Sequence, residues 1–187
     1  MSSTLSRFPR AALAAALLLA AGLLPLRRAT AANPVTVEDA KAVVAQYEAT
    51  DPGLSRFFRD SAGYAVFPGI GKGGFIVGAA QGDGILFEHG HPVGKITMTQ
   101  VSVGAQVGGQ SYSEVIFFHD KLPLEKLKLN DLTLAAQVSA VGLQSGVSAN
   151  AKYEDGVAVV TAAKGGLMLE AAVGGQKFQF VPFPGRS

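Results

Sequence analysis

The chain has 187 residues, 16 basic and 14 acidic, and no cysteine, which excludes a disulfide framework and a lipid-anchored lipoprotein. Arg7, Arg10, Arg27 and Arg28 lie in the first 32 residues. Without them 12 basic residues face 14 acidic ones, a formal −2, and the electrostatic footprint of a nucleic-acid-binding protein is missing.

Residues 1–32 read as a secretory signal peptide. Arg7 and Arg10 precede an almost wholly Ala/Leu run from Ala11 to Leu26, and Ala29-Thr30-Ala31-Ala32 offers small residues for cleavage. As a helix that run would be roughly 24 Å long, short of the roughly 30 Å hydrocarbon core of a bilayer. The expected location is therefore the periplasm, with residues 33–187 forming a single domain large enough to bury a core.

Residues 33–60 read as helical. Thr36 is the expected N-cap, and Ala40, Val43, Val44 and Tyr47 recur at helical spacing. Asp51-Pro52 restarts a second short helix, with Leu54, Phe57 and Phe58 on one side and Arg56 and Arg59 beside them. From Gly63 the period becomes alternating. Gly63–Pro68, Gly74–Gln81 and Ile85–His89 are short apolar segments, and Gly82-Asp83-Gly84 is expected to form a hairpin turn. Ile96–Gly108 alternates apolar with polar or small residues, whereas Tyr112–Phe118 reads as apolar on both faces. A short helix is expected over 123–130. Strands follow near Ala135–Asn150, Val157–Ala163, Gly166–Gly174 and Lys177–Pro182, with a turn at Asp155-Gly156. The expected fold is α+β, mostly β: an antiparallel, glycine-rich meander of about nine strands rolled into a barrel-like sheet, with helices at its N-terminus.

Gly69, Gly71 and Gly74 have the spacing G-x-G-x-x-G of a dinucleotide-binding turn. The segment Phe75-Ile-Val-Gly that follows is β-branched and broken by glycine, where that turn requires a helix. A second copy argues for a structural role. Lys72-Gly-Gly-Phe-Ile-Val-Gly-Ala-Ala-Gln-Gly82 is echoed by Lys164-Gly-Gly-Leu-Met-Leu-Glu-Ala-Ala-Val-Gly174, and Val107-Gly-Gly-Gln110 by Val173-Gly-Gly-Gln176. The glycines are expected to bend strands.

Ala62-Gly-Tyr-Ala-Val-Phe-Pro68, Lys72-Gly-Gly-Phe75, Gly78 and Lys164-Gly-Gly-Leu-Met-Leu-Glu-Ala-Ala-Val-Gly-Gly-Gln-Lys-Phe178 resemble the SYLF domain, also called the Ysc84-related family, in its exported bacterial branch. The likeness runs from about Val37 to Phe183. It departs from many relatives in having no tryptophan over 90–97. The resemblance implies a β-rich lipid-binding domain. Eukaryotic members bind phosphoinositides and some bind actin, an implausible partner for an exported bacterial protein.

Catalytic signatures are missing: no cysteine nucleophile, no G-x-S-x-G, S-x-x-K or H-E-x-x-H occurs. Glu88-His89-Gly90-His91 gathers possible metal ligands without a third one nearby, and a solvated turn is the simpler reading. His119-Asp120 resembles a base and its orienter but has no nucleophile beside it. No enzyme, cofactor or metal is expected. The expected function is non-catalytic phospholipid binding, through an anionic or phosphoinositide-type headgroup. Its site residues would be Arg56, Phe57, Phe58 and Arg59, as an aromatic anchor between cations, with Lys72 and Lys164 at equivalent places in the two repeats. The alternative is a small outer-membrane β-barrel or envelope-structural protein, against which stand the missing aromatic girdles and the Pro-Gly-Arg-Ser terminus.

Overall fold

The computed structural model describes residues 34–71, 79–101, 111–134, 139–164, 170–172 and 175–185. Helix α1 spans Val37–Thr50. Thr36 and Asp39 start it with a reciprocal capping box: the Asp39 amide donates to Thr36 Oγ1 at 3.1 Å and the Thr36 amide to Asp39 Oδ2 at 3.0 Å. Ala40, Val43 and Tyr47, three and four residues apart, are the buried face. Asp51 ends α1 and caps the next element, a short 3-10 turn over Pro52–Leu54, which runs into α2 over Ser55–Asp60. Helix α3 spans Lys121–Lys128 and is capped by Asp120, whose Oδ1 accepts from the Leu122 amide at 3.0 Å.

The strands are β1 Gly63–Gly71, β2 Ala79–Glu88, β3 His91–Val101, β4 Tyr112–Phe118, β5 Thr133–Leu134, β6 Ser139–Gly142, β7 Val157–Ala163, β8 Glu170–Ala172 and β9 Gln176–Pro182. They form one sheet in the order β5-β9-β3-β2-β1-β4-β7-β6-β8. The fold is thus α+β and mostly β, but its topology is more than a meander. Strand β4 lies against β1 instead of β3, β9 returns beside β3, and β6 pairs with β7 in parallel.

Three expected elements differ. Of the strand expected near Ala135–Asn150 the described part is β6, which ends at Gly142 before a 3-10 turn at Val147–Ala149. Gly82-Asp83-Gly84 is no turn; it lies inside β2, with Asp83 paired to Gly69 on one side and Thr97 on the other. Glycine is needed there for close approach, because a Cβ at Gly84 would run into the Val66 carbonyl and the Phe67 ring. The turn comes at His89-Gly90, both at positive φ (47° and 77°), between Glu88 and His91, which pair across it. Gly84→Ala should therefore lower stability by about 1–3 kcal/mol, measurable by denaturant titration; an unchanged midpoint would mean that β1 and β2 do not approach this closely. Strand β4 also fails to be apolar on both faces, since it carries the fully buried Glu114.

Gly69 and Gly71 lie in β1, and the β1 register shifts at Pro68-Gly69 against both β2 and β4. The next strand pairs with β1 antiparallel from Gln81 onward, a connection incompatible with the βαβ crossover of a dinucleotide fold. Gly74 and the internal repeats from Lys72 to Gly78, at Val107–Gln110, over 165–169 and at Val173-Gly174 lie outside the described residues.

Both faces of the sheet are buried. One face, with Tyr64, Val66, Ile85, Phe87, Val115, Phe117 and Val160, packs under α1, α2 and the 3-10 turn at Val147–Ala149. The other carries Phe67, Leu86, Ile96, Met98, Ile116 and Phe178, and receives Leu124 and Leu127 of α3. This second face is concave. Glu114 on β4 and Gln176 on β9 are separated by β1, β2 and β3 in the sheet order, about 19 Å apart in a flat sheet, yet Gln176 Nε2 donates to Glu114 Oε2 at 3.2 Å. The Phe67 and Phe178 rings likewise meet across the trough at 6.3 Å. Helix α3 is fixed at the trough end near Gly63 by Leu124 and by Lys128, whose Nζ lies 2.9 Å from Glu88 Oε1 and 3.2 Å from Glu125 Oε1.

Candidate anion-binding pocket

A pocket of about 270 Å3 opens where α2 passes the far ends of β4 and β7, lined by Arg56, Phe57, Asp60, His119 and Tyr153. Its framework begins at Asp51. The Ser148 amide donates to Asp51 Oδ2 at 2.6 Å and the Gly53 amide to Oδ1 at 3.0 Å. These bonds, that from Ser148 foremost, hold the Asp51 carboxyl below its ordinary range. They also tie the 147–149 turn to the start of α2, so that the Ser148 carbonyl can accept from Arg56 Nη2 at 2.8 Å. The guanidinium lies 5.2 Å from the centre of the Phe57 ring. Phe57 in turn meets Tyr153 at 5.5 Å, and Tyr153 meets His119 edge-on at 4.8 Å. Burial raises the Tyr153 hydroxyl to about 12, so it is a hydrogen-bond donor throughout the physiological range.

Among the described residues Arg56 has no carboxylate partner within ion-pairing distance, whereas Arg59 is clamped by its neighbour Asp60 through two bonds of 2.8 and 3.1 Å. A positioned guanidinium with unused N–H groups, an aromatic wall and a phenol can receive an oxyanion such as a phosphate.

The residues expected to act together are only partly assembled. Arg56, Phe57, Phe58 and Arg59 share α2. The two phenylalanines are 7% and 8% exposed and belong to the core, packed on Phe117; they are not exposed as an aromatic anchor for a bilayer. Lys164 follows β7 at its opposite end, about 20 Å along the strand, with its ammonium beside Gly69. It cannot share one headgroup with Arg56. Lys72 lies outside the described residues. His119 Nδ1 is 3.7 Å from Asp120 Oδ2, but Asp120 serves as the α3 cap. Ser148 and Tyr153, which shape the pocket, carry no signal in the sequence near Arg56 because they are 92 and 97 residues away.

A larger open groove of about 500 Å3, between the 130–133 loop and the outer side of β3 and β9, mixes Lys177 with Asp131, Asn130 and threonines. It offers no uniform charge and holds none of the expected residues.

Curled sheet and helical cover make a mixed, mostly β domain, with a ring-walled pocket that holds Arg56 and Asp60. No family model matches the chain. Among curated proteins, Beta cell expansion factor A of Aeromonas veronii is 27% identical over 157 residues, which cover 78% of this chain. The match spans 59% of that protein's own length.

Proposed function

We propose that the protein is a non-catalytic phospholipid-binding domain of the bacterial cell envelope, exported to the periplasm, which engages an anionic headgroup through Arg56. The observation that carries this reading is the Arg56 guanidinium, held by the Ser148 carbonyl, without a carboxylate in ion-pairing distance among the described residues, and facing a pocket that also holds Tyr153, His119 and Asp60, the last ion-paired to Arg59. The resemblance to SYLF domains supports it independently. Lys164 adds attraction at a distance from the pocket, on the order of 1 kcal/mol at an anionic surface and screened by salt, whereas Arg59 is neutralised by Asp60.

The alternative, an outer-membrane barrel, needs an outward apolar band on its strands. Here the convex strand residues Tyr64, Val66, Ile85, Phe87, Val115 and Phe117 are buried with the helices packed over them, which favours surface binding.

Co-sedimentation of residues 33–187 without detergent tests the proposal. The chain should sediment with vesicles containing phosphatidylglycerol, less so at high salt, and not with pure phosphatidylcholine. Arg56→Ala should weaken that binding roughly tenfold, the worth of a charge-assisted contact, while Lys164→Ala weakens it less. Protein left in the supernatant with every vesicle would sink the lipid reading; sedimentation indifferent to Arg56→Ala would move the site elsewhere.

A further inference from the structure

Among the described residues Glu114 is the one carboxyl with no exposed surface, and it is buried on the concave side of the sheet. Its surroundings follow from register. Across β4 and β7 it faces Thr161, which has no exposed surface either, so the two Cβ atoms are ~5 Å apart. Phe67 faces it from β1. Across the trough, β9 supplies Gln176, itself paired with Gln100 on β3 and with Leu134 on β5.

Counting donors and acceptors gives an imbalance. The two hydrogens on Gln176 Nε2 go to Glu114 Oε2 and Gln100 Oε1, each at 3.2 Å, and the Tyr112 hydroxyl donates to Gln100 Oε1 at 3.1 Å. Those donors are then spent. Glu114 Oε1, Gln176 Oε1 and Thr161 Oγ1 remain buried without a hydrogen-bond partner among the described residues. All three are oxygens, and once Glu114 is ionised only the threonine can offer a proton of its own. Leaving such groups unmatched in an apolar interior is destabilising, because their lost hydration is not replaced. Phe67, Met98, Leu134 and Phe178 make this interior apolar.

The missing component is a donor or a positive charge. Among the described residues no lysine, arginine or histidine makes an ion pair with Glu114. One carboxylate with two neutral oxygens carries a single negative charge. That matches a monovalent ion; a divalent ion would keep a net buried charge, which low-dielectric surroundings penalise.

We infer that Glu114, Gln176 and Thr161 form an interior site for one small monovalent cation, an alkali or ammonium ion. The ion would join β4 and β7 to β9 across the trough, so its occupancy would reinforce the curl of the sheet. This inference does not rest on the lipid reading.

Thermal unfolding of the full chain at pH 8, in sodium, potassium, ammonium or choline chloride at equal ionic strength, decides it. Choline is too bulky for the site. At least one of the small cations should raise the midpoint above that in choline by about 3–5 °C, saturating with concentration as single-site binding requires. Glu114→Gln should melt at one temperature in all four salts. Thr161→Val, which removes one oxygen and keeps the shape, should shrink the shift and serves as the deciding variant if Glu114→Gln does not fold. Equal midpoints for the wild-type chain in all four salts would overturn the site, as would a cation-dependent shift that survives in either variant at full size.

Discussion

In choline buffer, where no small cation competes, Glu114→Gln should be more stable than the wild-type chain at pH 8 and lose the wild type's dependence on pH. Burial pushes the Glu114 carboxyl up to about 8 from an ordinary 4.5, against a smaller lowering by the Gln176 amide. Among the described residues the titratable groups coupled to it are two phenols, Tyr112 on its own strand and Tyr47 of α1 through the sheet, both raised by burial and by Glu114 itself and so neutral at pH 8. The folded state thus holds a proton that the unfolded chain releases near pH 4.5. Below 4.5 both states are protonated and Glu114 contributes no slope. Between 4.5 and 8 stability falls as pH rises, and above 8 the full penalty is present. A few kcal/mol are at stake, given roughly 1.4 kcal/mol per pH unit, which translates to about 5–10 °C for a domain of this size. The amide in Glu114→Gln removes the ionisation and can donate to Thr161 Oγ1 or Gln176 Oε1. Denaturant titrations of both proteins from pH 5 to 9 check this; parallel curves would show that the carboxyl is not penalised in the folded state.

That behaviour was invisible in the sequence for a definable reason. Glu114 sits in a run of otherwise apolar or small residues, and its partner Gln176 is 62 residues away. Only the curl of the sheet brings β9 over β4, and no local pattern encodes that curl. Local devices were legible: the Thr36 cap and the buried stripe Ala40-Val43-Tyr47 follow from spacing alone. Glycine was legible as punctuation and ambiguous in kind. Gly90 relieves a positive φ, whereas Gly84 relieves a collision with the Val66 carbonyl on another strand, and both look the same in one dimension. The aromatic pair on α2 shows a similar limit. Phe57 and Phe58 between two arginines match an interfacial anchor and a core-facing turn equally well. The ring of Phe117, about 60 residues on, is what places them inside.

Phe117→Ala should accordingly be among the most damaging single truncations in the domain. Its ring is fully buried on β4 and meets Phe58 edge-on at 4.8 Å, Phe57 at 5.4 Å and Tyr64 at 6.3 Å. Helix α2 has six residues and a Leu54 N-cap without a side-chain bond, so it is far too short to persist by helix propensity; the seat provided by Phe117 holds it. Removing the ring combines lost transfer energy with a cavity that the flanking strands cannot fill, a cost of about 3–5 kcal/mol and a midpoint lower by roughly 10–15 °C. Phe117→Leu, which fills most of the volume, should cost less than half of that. Because Phe57 bridges Phe117 to the Arg56 guanidinium, Phe117→Ala should also weaken binding to anionic vesicles below its own melting transition, while Phe117→Leu retains it. A truncation cost under 1 kcal/mol would mean that α2 is not seated on β4 as described, and Arg56 would then lose the support that makes its pocket a site.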